Sequence, residues 1–498
     1  MTSTNNYVAI DLGAESGRAM IGRFDGNKIA LNAVHRFANT PVWALGKLYW
    51  NVLSLFHEIK QGLGIAGREL GGALDGIGVD TWGVDYALLG KDDALLGNPH
   101  NYRDPRTDGI LDKAFARVPR REIFEHTGIQ FMQINSLFQL YASKLANEAI
   151  LEQAATFLMV PDLLNYWLTG VKACEFSDAT TTQFYDPRKR AWARSLLEKL
   201  GLPTHMLLDV IQPGTVLGPL HANVLSDTGL GAVPVIAPAC HDTGSAVAAV
   251  PAEGEDYAYL SSGTWSLIGV ETREPVITEQ SLAFNVTNEG GVCGTFRLLK
   301  NIMGLWIVQQ CRRTWAAAGQ EFSYAQITEM AAQAPAFGPL IDVDAHDFLA
   351  PGDMPARIRA YCARTGQKVP ESVGEITRCA LESLACTYRW VLERMEILAG
   401  RKLNTINIVG GGSQNQLLSQ FTADVTQRRV VAGPIEATAL GNVLMQMMAT
   451  GRISSLAEGR QIVRQSFDLM TYEPKAAAGW DEAYARYCKL HEQTQEGL

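Results

Sequence analysis

The sequence predicts an α/β protein built of two large units related by duplication, and three observations carry that reading. Stretches with the period of a β-strand alternate with stretches of helical spacing, the signature of a layered α/β fold. The chain has 498 residues, too many for one hydrophobic core. The third observation is an internal echo: 7-YVAIDLGAESGRAMIGRF-24 and 257-YAYLSSGTWSLIGVE-271 share the outline of an apolar run, a turn of small residues and a second apolar run. Duplication of a whole domain explains an echo at that distance, because solenoid repeats recur every ~20–50 residues. On this comparison alone, two unrelated hairpins remain the alternative. The expected division is 1–246 and 247–498, with a helical tail after about 451.

Taken in order, residues 7 to 36 read as two strands joined by the small-residue turn, and 51-NVLSLFHEIKQGLGIAGREL-70 follows with apolar residues at helical spacing. The run 74-LDGIGVDTWGVDYALLG-90 is strand-like. From about 110 to 200 the pattern is mainly helical, with a proline start and a glycine stop in 161-PDLLNYWLTG-170. A restart comes at 233-VPVIAPACHDTGSAVAAV-250, a strand running into small polar residues and then a helix, and the hairpin 257–271 belongs to the second unit. Helical patterning returns at 371–398. The segment 406-INIVGGGSQNQLLSQFTADV-425 runs strand, glycine turn, helix, and 429–451 ends in another helix.

Apolar residues make up 47% and charged residues 19% of the chain, an ordinary globular balance in which disorder does not dominate. Net charge is −9, and lysine and arginine nowhere gather into a footprint for a phosphate backbone, so no nucleic-acid partner is expected. The densest basic stretches, 117-RVPRRE-122 and 187-PRKRAWAR-194, read as solvated faces. MTSTNNYVAI lacks a basic leader, and no run of about 18 apolar residues exists, so a cytoplasmic protein without membrane contact is expected. Eight cysteines without a CxxC pair argue against a disulfide framework or a zinc ribbon. Cys379 and Cys386 fall on a helical pattern and are expected in a core, while pairing of Cys362 with Cys379 is left open.

The turn GAESG exposes backbone N–H groups in a concavity, with Arg18 just past it, a combination that suits a polyphosphate. Asp11, at the end of the preceding strand, is placed to hold Mg²⁺ through water. A hairpin turn needs glycine and serine for conformation alone, so the structural reading stands beside the functional one. Its echo, 261-SSGTW-265, adds the Thr264 hydroxyl, and two such hairpins can grip one nucleotide. The glycines of 410-GGGSQN-415 let backbone lie flat against a base or ribose. Neither GxxxxGK[ST] nor GxGxxG after a strand is present.

In 240-CHDTGSA-246 a carboxylate at a strand-to-helix junction is placed to accept a proton from a hydroxyl attacking phosphorus, or merely to cap the helix. His241 beside it is a core histidine or a donor to substrate, and no second ligand spacing supports a metal role. GxSxG is absent, which argues against a serine nucleophile. Trp82 in 80-DTWGVD-85 and Tyr102 in 102-YRDPRTDG-109 are of the types that hold polyols, though such residues are more often core. Asn301 and Gln309 stand eight apart and are expected on one helical face.

Together, DLGAESGR, GVDTWGVD, YRDPRT, GIQFMQINSLFQL, CHDTGSAV, YLSSGTWSLIG, NEGG, LKNIMGLW, IVGGGSQN and GPIEATALGN resemble, in order, segments of the FGGY family of carbohydrate kinases over about residues 7 to 450. LKNIMGLW and GVDTWGVD resemble the branch that acts on L-rhamnulose. The resemblance implies two actin-like, ribonuclease H-like ATPase domains, with ATP and sugar in the cleft between them, and closure that excludes water. It implies that Ala14, Glu15, Ser16, Gly17, Arg18 and Thr264 contact phosphate, with Gln309 and Gly411 near the rest of ATP. Asp242 matches the general base, Gly83, His241, Thr243 and Asn301 match sugar-site positions, and Asp11 holds Mg²⁺ through water.

The implied reaction is transfer of the γ-phosphoryl group of MgATP to the C1 hydroxyl of L-rhamnulose. L-fuculose, L-xylulose or L-ribulose is the alternative acceptor, the choice depending on pocket shape around a methyl group and two stereocentres; 41-PVWALGKLYWN-51 departs from the family pattern in carrying more aromatic residues than expected before the first long helix. An actin-like nucleotide switch is the remote alternative, and it would need an appended partner domain that the sequence does not display. The implied partners are the sugar and ATP, in a monomer or homodimer.

Overall fold

A computed structural model describes residues 4–475 and 478–496. Residues 1–3, which open the segment read as lacking a leader, lie outside them, as do 476–477 and 497–498 in the expected helical tail. The chain forms two compact units whose segments interleave. The first comprises Met1–Ala249, Glu271–Leu298 and Glu436–Ser466, and the second Val250–Val270, Leu299–Ile435 and Phe467–Leu498.

The first unit is built on a six-stranded sheet in the order Thr215–Pro219, Pro234–Ala237, Gly76–Thr81, Asn5–Leu12, Ser16–Phe24, Ile29–Ala38. Residues 7 to 36 therefore hold three strands rather than two. The missed turn is 25-DGN-27, where Asp25 Oδ1 accepts from the amides of Asn27 (2.8 Å) and Lys28 (2.7 Å) and Gly26 takes a φ of 99°. Helix Val52–Glu69 covers the sheet, capped by Asn51 Oδ1 on Ser54 N. It buries Leu55, Ile59, Leu63 and Ala66, and each large aliphatic side chain so buried contributes about 1.5–3 kcal/mol relative to exposure. The strand-like run 74–90 is broken: Gly76–Thr81 stays in the sheet, while Tyr86–Leu89 leaves it to pair antiparallel with Thr156–Met159. Helix Val160–Thr169 stops at Gly170, whose φ of 78° suits a residue without a Cβ.

In the second unit the strands Trp265–Thr272, Tyr257–Ser262, Thr405–Val409, Arg429–Ala432 and Met470–Tyr472 lie side by side in that order. Their pairings are antiparallel, parallel, parallel, antiparallel. The first unit repeats this series through Ser16–Phe24, Asn5–Leu12, Gly76–Thr81, Pro234–Ala237 and Thr215–Pro219. The echo seen in the sequence is thus an echo of topology, as duplication of a domain requires.

Helix Val373–Ala399 opens with a capping box between Ser372 and Glu375 and ends at Gly400, φ 65°. Cys379 and Cys386 are buried in it, and all eight cysteines, Cys362 included, are free. After residue 451 come helices Leu456–Ser466 and Trp480–Glu496, with the edge strand Met470–Tyr472 between them. Among the described residues no helix is long and apolar enough to cross a membrane.

Candidate active site

In the first unit, Asp11, Gly83 and the segment His241–Thr243 stand at the C-terminal ends of three adjacent parallel strands, where α/β sheets place ligands. Thr81 N donates to Cys240 O at 2.8 Å, tying the end of one strand to the loop after the next. Gly83 is close-packed: a Cβ there would stand 3.1 Å from Thr181 Cγ2 and 3.3 Å from Asp178 Oδ1. Asp242 is the first residue of helix Asp242–Ala248, and the N-cap is His241, without a side-chain cap bond. The Asp242 side chain remains 29% exposed; Thr243 Oγ1 donates to its Oδ1 at 3.1 Å, and His241 Nε2 lies 3.5 Å from the same oxygen. Its position leaves the carboxylate open to a substrate hydroxyl.

Burial raises the pKa of Asp242, opposed by the neighbouring His241, by Thr243 and by Arg297. A base raised toward neutrality takes up a proton more readily. Asp11 is also raised by burial, with Arg18 opposing and Asp242 reinforcing the shift. Asp80, opposite Asp11 in the parallel register, is raised well above the usual carboxylate range by burial and then by Asp11; Asn442 Nδ2 donates to its Oδ2 at 2.6 Å. The stretch 80-DTWGVD-85 offers the Asp80 carboxylate only as a polyol contact, because nothing local shows that it faces Asp11.

The turn after Asp11 carries Ala14, Glu15 and Ser16 at or near the surface, closed by Gly13 N donating to Ser16 O at 2.9 Å. Gly17 is buried, and packing explains it: a Cβ would stand 2.4 Å from the Phe37 ring and 2.5 Å from Leu12 Cδ2. The Arg18 guanidinium is held by Asp11 Oδ2 at 2.8 and 3.1 Å and by Glu436. Asp11 thus has a cationic neighbour from its own chain. Three mutually repelling carboxyls, Asp11, Asp80 and Asp242, suit a hydrated divalent cation, although among the described residues no group of three His, Cys, Asp or Glu is arranged to ligate a metal directly.

Trp82 and Tyr102 are each 5% exposed, and the Trp82 indole N–H and the Tyr102 backbone amide serve a buried carboxylate. Asp85 Oδ2 accepts from Trp50 Nε1 (2.5 Å), Trp82 Nε1 (3.0 Å) and Tyr102 N (3.2 Å), while Gln139 Nε2 donates to Oδ1 (2.8 Å). Burial pushes the Asp85 carboxyl up to about 6.

Several groups beside His241 and Asp242 had no local signal. Arg297, wholly buried, meets His241 Nδ1 at 3.0 Å and Glu289 at 3.2 Å. Glu175 Oε2 accepts from Cys240 N at 3.0 Å and from Ser177 Oγ at 2.6 Å, and Ser177 Oγ accepts from His241 N at 3.1 Å. The backbone leading into Asp242 is therefore anchored by a buried carboxylate, itself raised by burial.

In the second unit, the turn of the hairpin 257–272 docks the start of helix Trp306–Ala317, with Leu305 N on Gly263 O and Trp306 N on Thr264 O, both at 3.1 Å. Thr264 and Gln309 are so brought within a turn of helix of each other. Asn301 is not on that helix but in strand Phe296–Met303. The expected common face fails because Gly304 interrupts the run: a Cβ there would stand 2.6 Å from Trp265 C, and the chain turns before the helix begins.

The glycine turn packs on the same hairpin. A Cβ at Gly410, φ 86°, would meet Ser262 O at 2.9 Å, and one at Gly412 would meet Ser262 Oγ at 2.0 Å, whereas Gly411 faces open space.

Two family models match the chain: the N-terminal domain of the FGGY family of carbohydrate kinases over residues 6–249 and its C-terminal domain over 258–450. The chain belongs to the FGGY family of carbohydrate kinases. An enzyme of this family takes a sugar and ATP as its substrates.

Curated FGGY relatives bear the name rhamnulokinase: one from Bacteroides thetaiotaomicron is 46% identical over 97% of this chain and 98% of its own. One from Pectobacterium atrosepticum is 42% identical over 98% and 97%. Solved structures share the fold, including a ligand-bound xylulose kinase from Lactobacillus acidophilus (TM-score 0.81, 18% identity, 98% of each chain) and Plasmodium falciparum glycerol kinase with ADP (TM-score 0.76, 15% identity, 99% and 98%).

Proposed function

We propose that this FGGY kinase transfers the γ-phosphoryl group of ATP to the C1 hydroxyl of L-rhamnulose, releasing L-rhamnulose 1-phosphate and ADP. The observation that carries the substrate is the 46% identity, over nearly the full length of both chains, to a protein named rhamnulokinase.

In this reading Asp242 accepts the C1 hydroxyl proton as the oxygen attacks phosphorus and ADP departs. Its placement at a helix start, part-exposed and with a raised pKa, supports that role. Gly83, His241, Thr243 and Asn301 bind the sugar. His241 presents Nε2 next to Asp242.

The amides and hydroxyls of Ala14 to Gly17, with Thr264, bind phosphate, and Gln309 and Gly411 bind the rest of ATP. Arg18 acts chiefly by neutralising Asp11 and Glu436. Asp11 would hold Mg²⁺ through water, and the ion would supply charge neutralisation to the phosphates. Most of the sugar site and the first phosphate hairpin thus fall in the N-terminal half, and Thr264, Gln309 and Gly411 fall in the C-terminal half, in a cytoplasmic monomer or homodimer.

The test is ADP release by the purified protein with MgATP and L-rhamnulose, L-fuculose, L-xylulose, L-ribulose, D-xylulose or glycerol. The highest kcat/KM with L-rhamnulose is expected. A higher value with another ketose would replace the substrate and keep the chemistry.

A further inference from the structure

We infer that Arg297 is a positioning residue for this reaction: by donating to His241 Nδ1 it holds the imidazole in the tautomer that carries its proton on Nε2, the nitrogen beside Asp242. The inference deepens the proposed function and rests on Asp242 being the base.

Arg297 sits in strand Phe296–Met303, with no part of it exposed. Its Nε donates to Gly290 O at 2.8 Å, and its Nη2 lies 3.2 Å from Glu289 Oε2 and 3.0 Å from His241 Nδ1. A guanidinium has donors and no acceptor. At 3.0 Å, Nδ1 must therefore accept, and the neutral ring then keeps its proton on Nε2.

That nitrogen is 3.5 Å from Asp242 Oδ1, so it presents a donor to the carboxylate or to a sugar oxygen beside it. The reversed tautomer would set two donors against each other at Nδ1 and turn a lone pair toward the carboxylate. Glu289 Oε2, 3.3 Å from Nδ1, is the competing partner, since it would accept from an Nδ1–H. Arg297 contacts both and pairs with that same oxygen, which biases the ring against protonation at Nδ1. The ring is fixed from its backbone as well, through His241 N on Ser177 Oγ at 3.1 Å. Burial of a full cationic side chain in this position is costly unless its bonds are made.

The test uses the full-length protein labelled with [15N]histidine, and the His241→Gln variant identifies the His241 signals. Long-range ¹H–¹⁵N correlation should show an unprotonated Nδ1 and a protonated Nε2 in the wild type and in Arg297→Lys, and a proton moved to Nδ1 in Arg297→Met. Kinetically, Arg297→Met should lower kcat on the order of tenfold, a share of the roughly 10²–10⁴-fold that a positioned base contributes, with KM for ATP unchanged. Arg297→Lys should recover most of it, and the loss should vanish in the His241→Gln background.

An Nδ1–H in the wild type would overturn the inference, as would an equal loss from Arg297→Met with and without His241. If Arg297→Met does not fold, Arg297→Lys carries the test, and a proton on Nδ1 in that variant overturns it. Failure of the base assignment reads differently: Asp242→Asn would then retain turnover while the His241 tautomer stays as stated.

Discussion

Replacing Gly441 by alanine perturbs the helix that begins at Asp242 without touching any residue of the site. Gly441 lies on helix Ala437–Ala449, and a Cβ there would stand 1.7 Å from Ser245 O, 2.6 Å from Ser245 C and 3.2 Å from Ser245 Cα. All three are backbone atoms of helix Asp242–Ala248, one turn from Asp242. A side chain could rotate aside, but a helix backbone cannot, so the two helices must part. Ordinary contact begins near 3.4 Å, which requires a displacement of about 1.7 Å, and overpacking of this kind costs roughly 1–3 kcal/mol. A misplacement of about 1 Å at a reacting group costs on the order of a hundredfold in rate. Gly441→Ala should therefore lower kcat about a hundredfold and Tm by roughly 1–3 °C, read by steady-state ADP release and calorimetry. Wild-type kcat and Tm together would refute the reasoning, because they would show that the crossing yields without moving Asp242.

Gly411→Ala separates packing from ligand contact: its Cβ meets nothing within 4 Å, so Tm should be unchanged while KM for ATP rises about tenfold, or ~1.4 kcal/mol. An unchanged KM would remove Gly411 from the nucleotide site. Asp85, pushed up to about 6 from 3.8 by burial, keeps its proton to higher pH folded than unfolded. Its contribution to stability is full below pH 3.8 and is lost as pH rises through about 6, on the order of 3 kcal/mol. Urea unfolding of wild type and Asp85→Asn between pH 4 and 7 should show that slope in the wild type alone, and an equal slope in both would exclude Asp85 as its source.

Much of this was legible in the sequence where the signal is local. The two hairpins, the stop at Gly170 and the glycine turn after Val409 each announce themselves within a few residues, because a required φ or a close approach restricts the residue type on the spot. Gly17 shows the limit: the sequence offers it as part of a phosphate turn, and the ring of Phe37 is what excludes a side chain there. Spacing alone puts Asn301 and Gln309 on one helical face because periodicity carries across Gly304, whereas Trp265, far away in sequence, blocks a Cβ at that position.

The electrostatics were least legible of all. Asp80 gains its meaning from register with Asp11 and a hydrogen bond to Asn442, and Arg297 and Glu289 gain theirs from His241. Each of these groups is an ordinary residue until a distant strand or helix is laid against it.

The central claim, that Asp242 takes the proton from the sugar, is tested most directly by Asp242→Asn with L-rhamnulose and MgATP, with nucleotide binding followed by calorimetry in the same preparation. The account predicts a fall in kcat of roughly 10²–10⁴-fold, or about 3–5 kcal/mol in the barrier, with ATP affinity unchanged. Turnover at the wild-type rate in that variant would contradict it.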